Sequence, residues 1–255
     1  MKSGMIGACF VGLLQLSLQS HAQEHVSAYD TVDVTYTNTD SIHFGATLTM
    51  PHGLKKVPAV VILSGTNPQN RDGLMAGHDI FRQIARFLSS RGIAVLRVDD
   101  RGVGGTNGNY SRCTTATFAN DALVAVNFLR TVKGIDRHKI GLLGHSEGGA
   151  AAAIAASRSK HVAFLVTAAG LMTDGLSAVI QQNKDIVHTS PISEFDMKRY
   201  DDINQMMFRL CHKYAQADSA TLSKALWDAY NEWKITDDAA FKRHNPNGFD
   251  HFRFP

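Results

Sequence analysis

The sequence predicts an α/β protein with a mostly parallel sheet and helices on both faces, and two observations indicate this class. Short continuous apolar runs, such as residues 59–63 and 93–98, are typical of strands that are covered on both faces. These runs alternate along the chain with segments of helical spacing, at 80–88 and 118–129. Because parallel neighbours need a crossover connection, strands that alternate with helices favour a parallel sheet.

The other elements follow from local patterns. Residues 31–36 and 42–50 alternate β-forming and polar side chains, which predicts an antiparallel pair with one exposed face. Two more buried strands and a small-residue helix between them are predicted, in chain order, at 140–143, 150–159 and 162–167. From residue 176 to 242 only helical segments occur, with a break at Pro191. This region is therefore predicted to be a helical cap above the sheet.

Composition argues against several functional classes. A chain of 255 residues suits one domain, or one domain with an insertion. Charged residues make up 19% of the chain and the net charge is only +3, without a basic cluster that contains aromatic residues. We therefore expect neither nucleic acid nor a membrane surface as a partner.

The first 22 residues have the features of a signal peptide. Lys2 supplies a positive start, an uncharged apolar stretch covers 5–18, and Ser20-His21-Ala22 resembles a cleavage site. The mature protein is predicted to begin near Gln23 and to be secreted or periplasmic. No later segment is long and apolar enough to span a membrane.

Cysteines and histidines show no metal-binding spacing, so neither a metal nor a cofactor is predicted. An oxidising compartment would permit a disulfide between Cys113 and Cys211. Two separate thiols is the favoured interpretation, and pairing stays an alternative.

The stretch Gly144-His145-Ser146-Glu147-Gly148-Gly149 lies between a predicted strand and a predicted helix. G-x-S-x-G in this context is the pattern of a nucleophile elbow, in which a tight turn lifts the serine above the sheet. Glycines two residues either side of the serine leave room for neighbouring backbone. Ser146 is thus the predicted nucleophile. The adjacent His145 is predicted to be a packing residue, because neighbouring side chains at such a turn point apart.

Three motifs together resemble the α/β-hydrolase superfamily, and more narrowly secreted bacterial esterases and serine-aminopeptidase-like hydrolases. They are residues 63–73, residues 99–106 and the Ser146 turn, in the family's order and at similar spacing. The resemblance extends from about Tyr29 to Gly170. It implies acyl transfer on small carboxylic esters, with a serine peptidase acting on short peptides as the alternative.

Acyl transfer needs two N–H donors for the oxyanion. The first predicted donor is the backbone N–H of Glu147, which follows the nucleophile. The second is the backbone N–H of Thr66, since Ser64-Gly65-Thr66 stands where similar enzymes carry His-Gly-X. Asp100 and Arg101 are expected to hold a tight loop by bonding to neighbouring backbone.

The predicted organisation has four parts: signal peptide 1–22, α/β-hydrolase core 23–170, helical cap 171–246, and the start of the remaining core at 247–255. In similar enzymes the acid and then the histidine follow the serine on later strands. No apolar strand run follows Asn247, so the last strands of the sheet are expected to be missing. The acid and the histidine are then expected beyond the chain end.

Two alternatives remain. In the first, the acid and the base of Ser146 both lie within this chain. Asp174 is then the candidate acid, and the candidate bases are His188, His212, His244 and His251; the adjacent Asp250 and His251 could also act together. In the second, the chain is a non-catalytic relative or fragment. Methionines of the cap would shape an apolar acyl pocket or simply pack between helices; these are Met197, Met206 and Met207.

Overall fold

The computed structural model describes residues 28–248. Its strands are β1 (Tyr29–Thr37), β2 (His43–Pro51), β3 (Val57–Leu63), β4 (Leu74–Met75), β5 (His78–Asp79), β6 (Ala94–Val98), β7 (Ile135–His145) and β8 (Phe164–Ala168). Its helices are α1 (Ile80–Ser89), α2 (Thr115–Leu129), α3 (Glu147–Arg158), α4 (Gly175–His188), α5 (Glu194–Lys213) and α6 (Ser219–His244). The predicted signal peptide and the pair Asp250 and His251 lie outside the described residues.

The main sheet has the strand order β1-β2-β6-β3-β7-β8. Strands β6, β3, β7 and β8 are mutually parallel, while β2 runs antiparallel to β6 and β1 antiparallel to β2. Strands β4 and β5 form a separate small hairpin. The mostly parallel sheet and the antiparallel pair at its start are as predicted. The prediction that this pair has one exposed face is wrong for β2, in which residues 44–49 are all buried because β2 lies between β1 and β6.

The two sides of β3 explain its unbroken apolar sequence. Val61 and Leu63 belong to the buried cluster formed with α2 and α3, whereas Val60 and Ile62 pack with Phe81 of α1 on the opposite face. Each buried side chain of this size contributes roughly 1.5–3 kcal/mol. Helices on both faces, which the apolar runs predicted, are confirmed.

Strand β8 differs from its prediction as a buried strand. Phe164 is 40% exposed and Val166 is 46% exposed. Within residues 28–248, β8 pairs with β7 on one side and forms the edge of the sheet. An apolar run identifies a strand, but it does not reveal whether other elements cover that strand.

The region after β8 is helical, and α4, α5 and α6 pack consecutively on one another. The break around Pro191 falls between α4 and α5, as predicted. Between α5 and α6, Arg199 donates to both carboxylate oxygens of Asp237 at 2.8 and 2.6 Å, and both side chains are buried. The division into core and cap at residue 171 stays a prediction.

Two further sequence expectations concern the chain as a whole. Among the described helices, none combines the length and the apolar character that crossing a membrane requires. Cys113 and Cys211 are both free thiols, so the favoured interpretation of separate cysteines agrees with the structure.

Candidate active site

Ser146 lies in a sharp turn between β7 and α3. Its backbone has φ 53° and ψ −122°, a conformation that non-glycine residues rarely adopt and that costs about 1–3 kcal/mol. The surroundings hold it in place: its N–H donates to Ala168 O at 3.1 Å, and its carbonyl accepts from the N–H groups of Gly149 and Leu171. A strained serine between strand and helix is the geometry expected of a nucleophile elbow.

Three small residues allow the backbone to close around this serine. A Cβ at Gly65 would lie 2.9 Å from the Cβ of Ser146. A Cβ at Gly148 would collide with the backbone carbonyl of Ser64, and one at Gly144 with the carbonyl of Gly148. The glycines predicted from the motif spacing are therefore required by close packing between β7, α3 and the loop after β3.

The two residues predicted to supply oxyanion donors are brought together. Thr66 Oγ1 donates to Glu147 Oε2 at 2.9 Å, and Thr115 Oγ1 donates to Glu147 Oε1 at 2.7 Å. Glu147 is the first residue of α3, so its N–H has no acceptor within the helix. In the described part of the chain, the Thr66 N–H has no acceptor either. The carboxylate of Glu147 thus connects the loop that carries Thr66 with α2, directly beside Ser146 in the chain, and the role of the two N–H groups as oxyanion donors stays a prediction.

Asp100 supports the loop that carries Thr66. Its carboxylate accepts from Ser64 Oγ at 2.6 Å and from the Gln69 N–H at 2.8 Å. Burial raises the pKa of Asp100 to about 6. The expectation that Asp100 bonds to neighbouring backbone is met at Gln69.

The same expectation is wrong for Arg101. Its guanidinium donates to both oxygens of Asp121 on α2, at 2.7 and 2.6 Å. A paired carboxylate on an adjacent helix is a stronger acceptor than a backbone carbonyl. Arg101 therefore fastens its loop to α2.

Sequence reasoning missed a second anchor, between the loops that follow β3 and β6. Asp99 accepts from Arg71 N at 2.7 Å, from Arg71 Nη2 at 2.6 Å and from Gly105 N at 2.8 Å. Burial alone would raise the pKa of Asp99, but the hydrogen bonds from Arg71 and Gly105 outweigh it and lower that pKa. The sequence contains a hint of this pair, because Arg71 and Asp99 carry opposite charges and lie in the motifs at residues 63–73 and 99–106.

The side chain of His145 packs against helix α1, as expected of a packing residue. Its ring meets Phe81 of α1 edge-on, with the ring centroids 6.2 Å apart. Ser146 Oγ has no hydrogen-bonded histidine within the described residues. His251 lies outside those residues.

The candidate histidines of α4, α5 and α6 have contacts of their own or are exposed. His188 Nε2 lies 2.9 Å from Asp201 Oδ2, and the ring of His244 stacks on Phe195 at a centroid distance of 4.1 Å. His212 is exposed on α5.

Asp174, the candidate acid, caps α4. Its carboxylate accepts from the Ser177 N–H at 2.9 Å, and hydrogen bonds from Ser177 lower its pKa. Capping of the helix is by itself a sufficient reason for an aspartate at this position, so a catalytic role is not needed to explain it.

A cleft of about 660 Å³ opens beside Glu147. Its polar lining residues are Thr66, Thr115, Glu147 and Thr173. The apolar part is lined by residues of α3, the loop after β8 and α4: Ala150, Ala153, Ile154, Leu171, Met172 and Val179.

Among the described residues that line this cleft, Met172 is the methionine, whereas Met197 lines a separate cleft with His188. Whether Met197, Met206 and Met207 shape an acyl pocket or pack between helices stays a prediction. Residues 28–248 also contain no group of three metal-ligating side chains with suitable geometry.

Comparison with known proteins agrees with this architecture. Esterase EstD of Thermotoga maritima is 35% identical over 113 residues, which cover 44% of this chain and 27% of EstD. The α/β hydrolase GrgF from Penicillium sp. sh18 superposes with a TM-score of 0.51 at 24% identity, over 62% of this chain and 52% of GrgF. The Pyrococcus furiosus esterase Pf2001 superposes with a TM-score of 0.50 at 23% identity, over 64% of this chain and 58% of that chain. These structures share the fold, and this chain spans little more than half of their length and about a quarter of EstD.

A family model described as serine aminopeptidase, S33, matches residues 72–205, slightly more than half of the chain. The matched range contains Asp99 and Asp100, the complete Ser146 turn, helix α4 and the first part of α5. On these grounds the chain belongs to the serine aminopeptidase S33 family and has the α/β-hydrolase fold.

Proposed function

We propose that this protein is a serine hydrolase that cleaves small carboxylic esters through an acyl-enzyme at Ser146. The observation that carries the proposal is the strained serine between β7 and α3, followed by Glu147, whose carboxylate accepts a hydrogen bond from Thr66. In this mechanism Ser146 Oγ attacks the acyl carbon while a base accepts its proton. The oxyanion that forms is stabilised by the two N–H groups, and its collapse expels the alcohol as the base returns the proton, which leaves the acyl-enzyme. Water, deprotonated by the base, then attacks the acyl-enzyme, and collapse of the second oxyanion releases the carboxylic acid as the proton returns to Ser146 Oγ.

The cleft beside Glu147 supports an ester with a short acyl chain. Its apolar part, between α3 and the loop after β8, offers contact to hydrocarbon, and its lining includes Glu147 and Thr66, the residues of the predicted oxyanion donors. Two of the similar proteins are named esterases, EstD and Pf2001, which supports the same substrate class.

The test is hydrolysis of p-nitrophenyl butyrate by the purified protein and by Ser146→Ala. Loss of the nucleophile should lower kcat/KM by at least about 10³-fold, because the remaining binding groups supply only a small part of the rate. Ser157→Ala is the matched control, since Ser157 is an exposed serine near the end of α3, the helix that follows Ser146. Equal activity of Ser146→Ala and the unchanged protein would refute the proposal.

A peptidase is the second candidate, because the family is described as serine aminopeptidase. Aminoacyl p-nitroanilides assayed beside the esters separate the two. A higher kcat/KM on the anilides, abolished by Ser146→Ala, would identify a peptidase. Folded protein without activity on either substrate would identify a non-catalytic relative.

We also propose that the protein is exported, on the basis of the charge and apolar pattern of residues 1–22. Mass spectrometry of the protein recovered from the periplasm or medium should show a chain that begins at Gln23. An intact N-terminus in the cytoplasmic fraction would contradict export.

A further inference from the structure

The cleft beside Glu147 combines one carboxylate with a mostly apolar wall. Its volume is about 660 Å³, and Glu147 is the charged side chain among the described residues that line it. The other lining residues are threonines, a glycine and apolar side chains, and within residues 28–248 no lysine, arginine or histidine is among them. The cleft therefore carries a negative charge that its own lining does not neutralise.

The carboxylate of Glu147 is hydrogen-bonded, but in the described part of the chain it forms no ion pair. Its two oxygens accept from the hydroxyl groups of Thr66 and Thr115. Neutral donors leave the charge in place, and a carboxylate offers about four lone-pair sites, so each oxygen keeps room for a further contact. The side chain is half-buried and its contact with Thr66 is exposed. A ligand in the cleft therefore meets this charge.

The start of α3 offsets only part of the negative charge. Glu147 is the first residue of this helix, where the macrodipole contributes about half a positive elementary charge. The oxyanion of the proposed ester hydrolysis forms at the same helix start, so it shares that positive end with the carboxylate. Because like charges repel, the carboxylate opposes formation of the oxyanion unless a further cation lies nearby.

The cleft adjoins the serine through two of its lining residues. Glu147 follows Ser146 directly in the chain, and the N–H of Leu171 donates to the carbonyl of Ser146 at 3.2 Å. An acyl chain that extends from Ser146 into this cleft therefore passes the Glu147 carboxylate. A positive group on that chain is the cation that the lining itself does not supply.

We propose that the side chain of Glu147 selects for esters whose acyl chain carries an alkylated ammonium group. A primary ammonium presents three N–H donors, each of which needs an acceptor. An alkylated ammonium has fewer donors or none, and it places hydrocarbon against apolar residues such as Ile154 and Met172 while the carboxylate attracts its charge. This inference rests on the proposed function, because it places the acyl group of the same ester in the cleft.

The test compares two p-nitrophenyl esters of equal shape. One has a butyryl chain that ends in a trimethylammonium group, and in the other a tert-butyl group replaces the trimethylammonium group. The ratio of their kcat/KM values, cationic to neutral, is measured for the unchanged protein and for Glu147→Gln. Glutamine removes the charge but can exchange hydrogen bonds with both threonine hydroxyl groups. The ratio should fall about fivefold, the upper end of the contribution of an exposed ion pair.

Two control variants separate the charge of Glu147 from its hydrogen bonds and from the net charge of the protein. Glu232→Gln removes an exposed glutamate of α6 outside the cleft lining, and it should leave the ratio unchanged. Thr115→Val removes one hydroxyl donor to Glu147 but keeps the carboxylate, so the ratio should be retained. The inference is overturned if Glu147→Gln leaves the ratio unchanged, or if either control lowers it as much.

A binding measurement distinguishes failure of this inference from failure of the proposed function. The methyl esters of the same two acids are titrated calorimetrically into Ser146→Ala and into Ser146→Ala/Glu147→Gln. The cationic ester should bind saturably to Ser146→Ala and about fivefold more weakly to the double variant, with no such change for the neutral ester. If the unchanged protein hydrolyses neither p-nitrophenyl ester while this difference in binding is present, the proposed function alone is refuted. Equal binding of the cationic ester by the two variants, or no saturable binding, overturns the inference.

Discussion

At the scale of single residues, the site depends on Ser146 and on what its unusual backbone requires of its neighbours. The φ of 53° places the side chain away from the regular paths of both β7 and α3. That conformation is compatible with the fold because Gly65 and Gly148 leave space for the turn. Thr66, Thr115 and the carboxylate of Glu147 then join the loop after β3 to two helices. A strained residue held by packing and hydrogen bonds is preorganised before any substrate arrives.

The raised pKa of Asp100 leads us to expect that the free energy of unfolding depends on pH. Burial raises its pKa from 3.8 to about 6, so between these values the folded protein binds a proton that the unfolded chain has released. The contribution of Asp100 to the free energy of unfolding should therefore fall as pH rises from about 4 to 6, by up to roughly 3 kcal/mol. Urea denaturation across this pH range measures it.

Asp100→Asn should flatten the pH dependence of that free energy, because an amide does not titrate. Asp202→Asn, a change to an exposed aspartate on α5, should leave it unchanged. An identical slope in the unchanged protein and in Asp100→Asn would contradict the assignment.

At the scale of elements, helix starts are set by short polar side chains. Thr114 and Thr117 form a reciprocal capping box at the start of α2, and Asp174 accepts from the Ser177 N–H at the start of α4. A cap of this kind satisfies a backbone donor that the first turn leaves without a partner. Asp174 therefore fixes where α4 begins, at the border of the cleft beside Glu147.

Removal of this cap should affect stability and leave chemistry intact. Asp174→Ala is expected to lower the free energy of unfolding by about 1 kcal/mol, whereas Asp174→Asn, which keeps an acceptor, should change it by a few tenths. Urea denaturation measures both variants, and ester hydrolysis provides the second readout. If both variants lost activity by about 10²-fold or more at unchanged stability, Asp174 would be an acid that orients a base.

At the scale of the whole molecule, the two faces and the two edges of the sheet are covered unequally. Helix α1 packs on one face, and α2 with α3 on the other. The face near β1 and β2 is left to polar side chains, which creates an arginine-lined recess. In the described part of the chain, β8 ends the sheet with partly exposed apolar side chains. An exposed apolar edge strand is a template for pairing with another chain.

This edge predicts concentration-dependent self-association. Val166→Lys places a charge on β8 and should shift light scattering towards a single small species at equal protein concentration. Leu54→Lys is the matched control, since Leu54 is an exposed apolar residue in the turn between β2 and β3. Equal improvement by both changes would attribute the effect to net charge and not to the strand edge.

Most of the fold could be predicted from the sequence because its signals are local. The continuous apolar run at 59–63 and the alternation at 31–36 depend only on neighbours along the chain, and both became strands of the predicted kind. The turn at Ser146 was likewise predictable, because a side chain at Gly144 or Gly148 would collide with neighbouring backbone, so the glycine spacing marks the turn. Burial of β8 was not predictable, because it depends on elements distant in sequence.

The sequence by itself determined the sheet class, the position of the serine between a strand and a helix, and the glycines that permit that turn. Each of these follows from side-chain periodicity or backbone sterics over a few residues. Only the tertiary structure decided that Asp99 pairs with Arg71, that Thr66 contacts Glu147, and that four arginines line one recess. These contacts join residues from different loops and strands, and the strand order β2-β6-β3-β7, which is not the order of the chain, determines which of them meet.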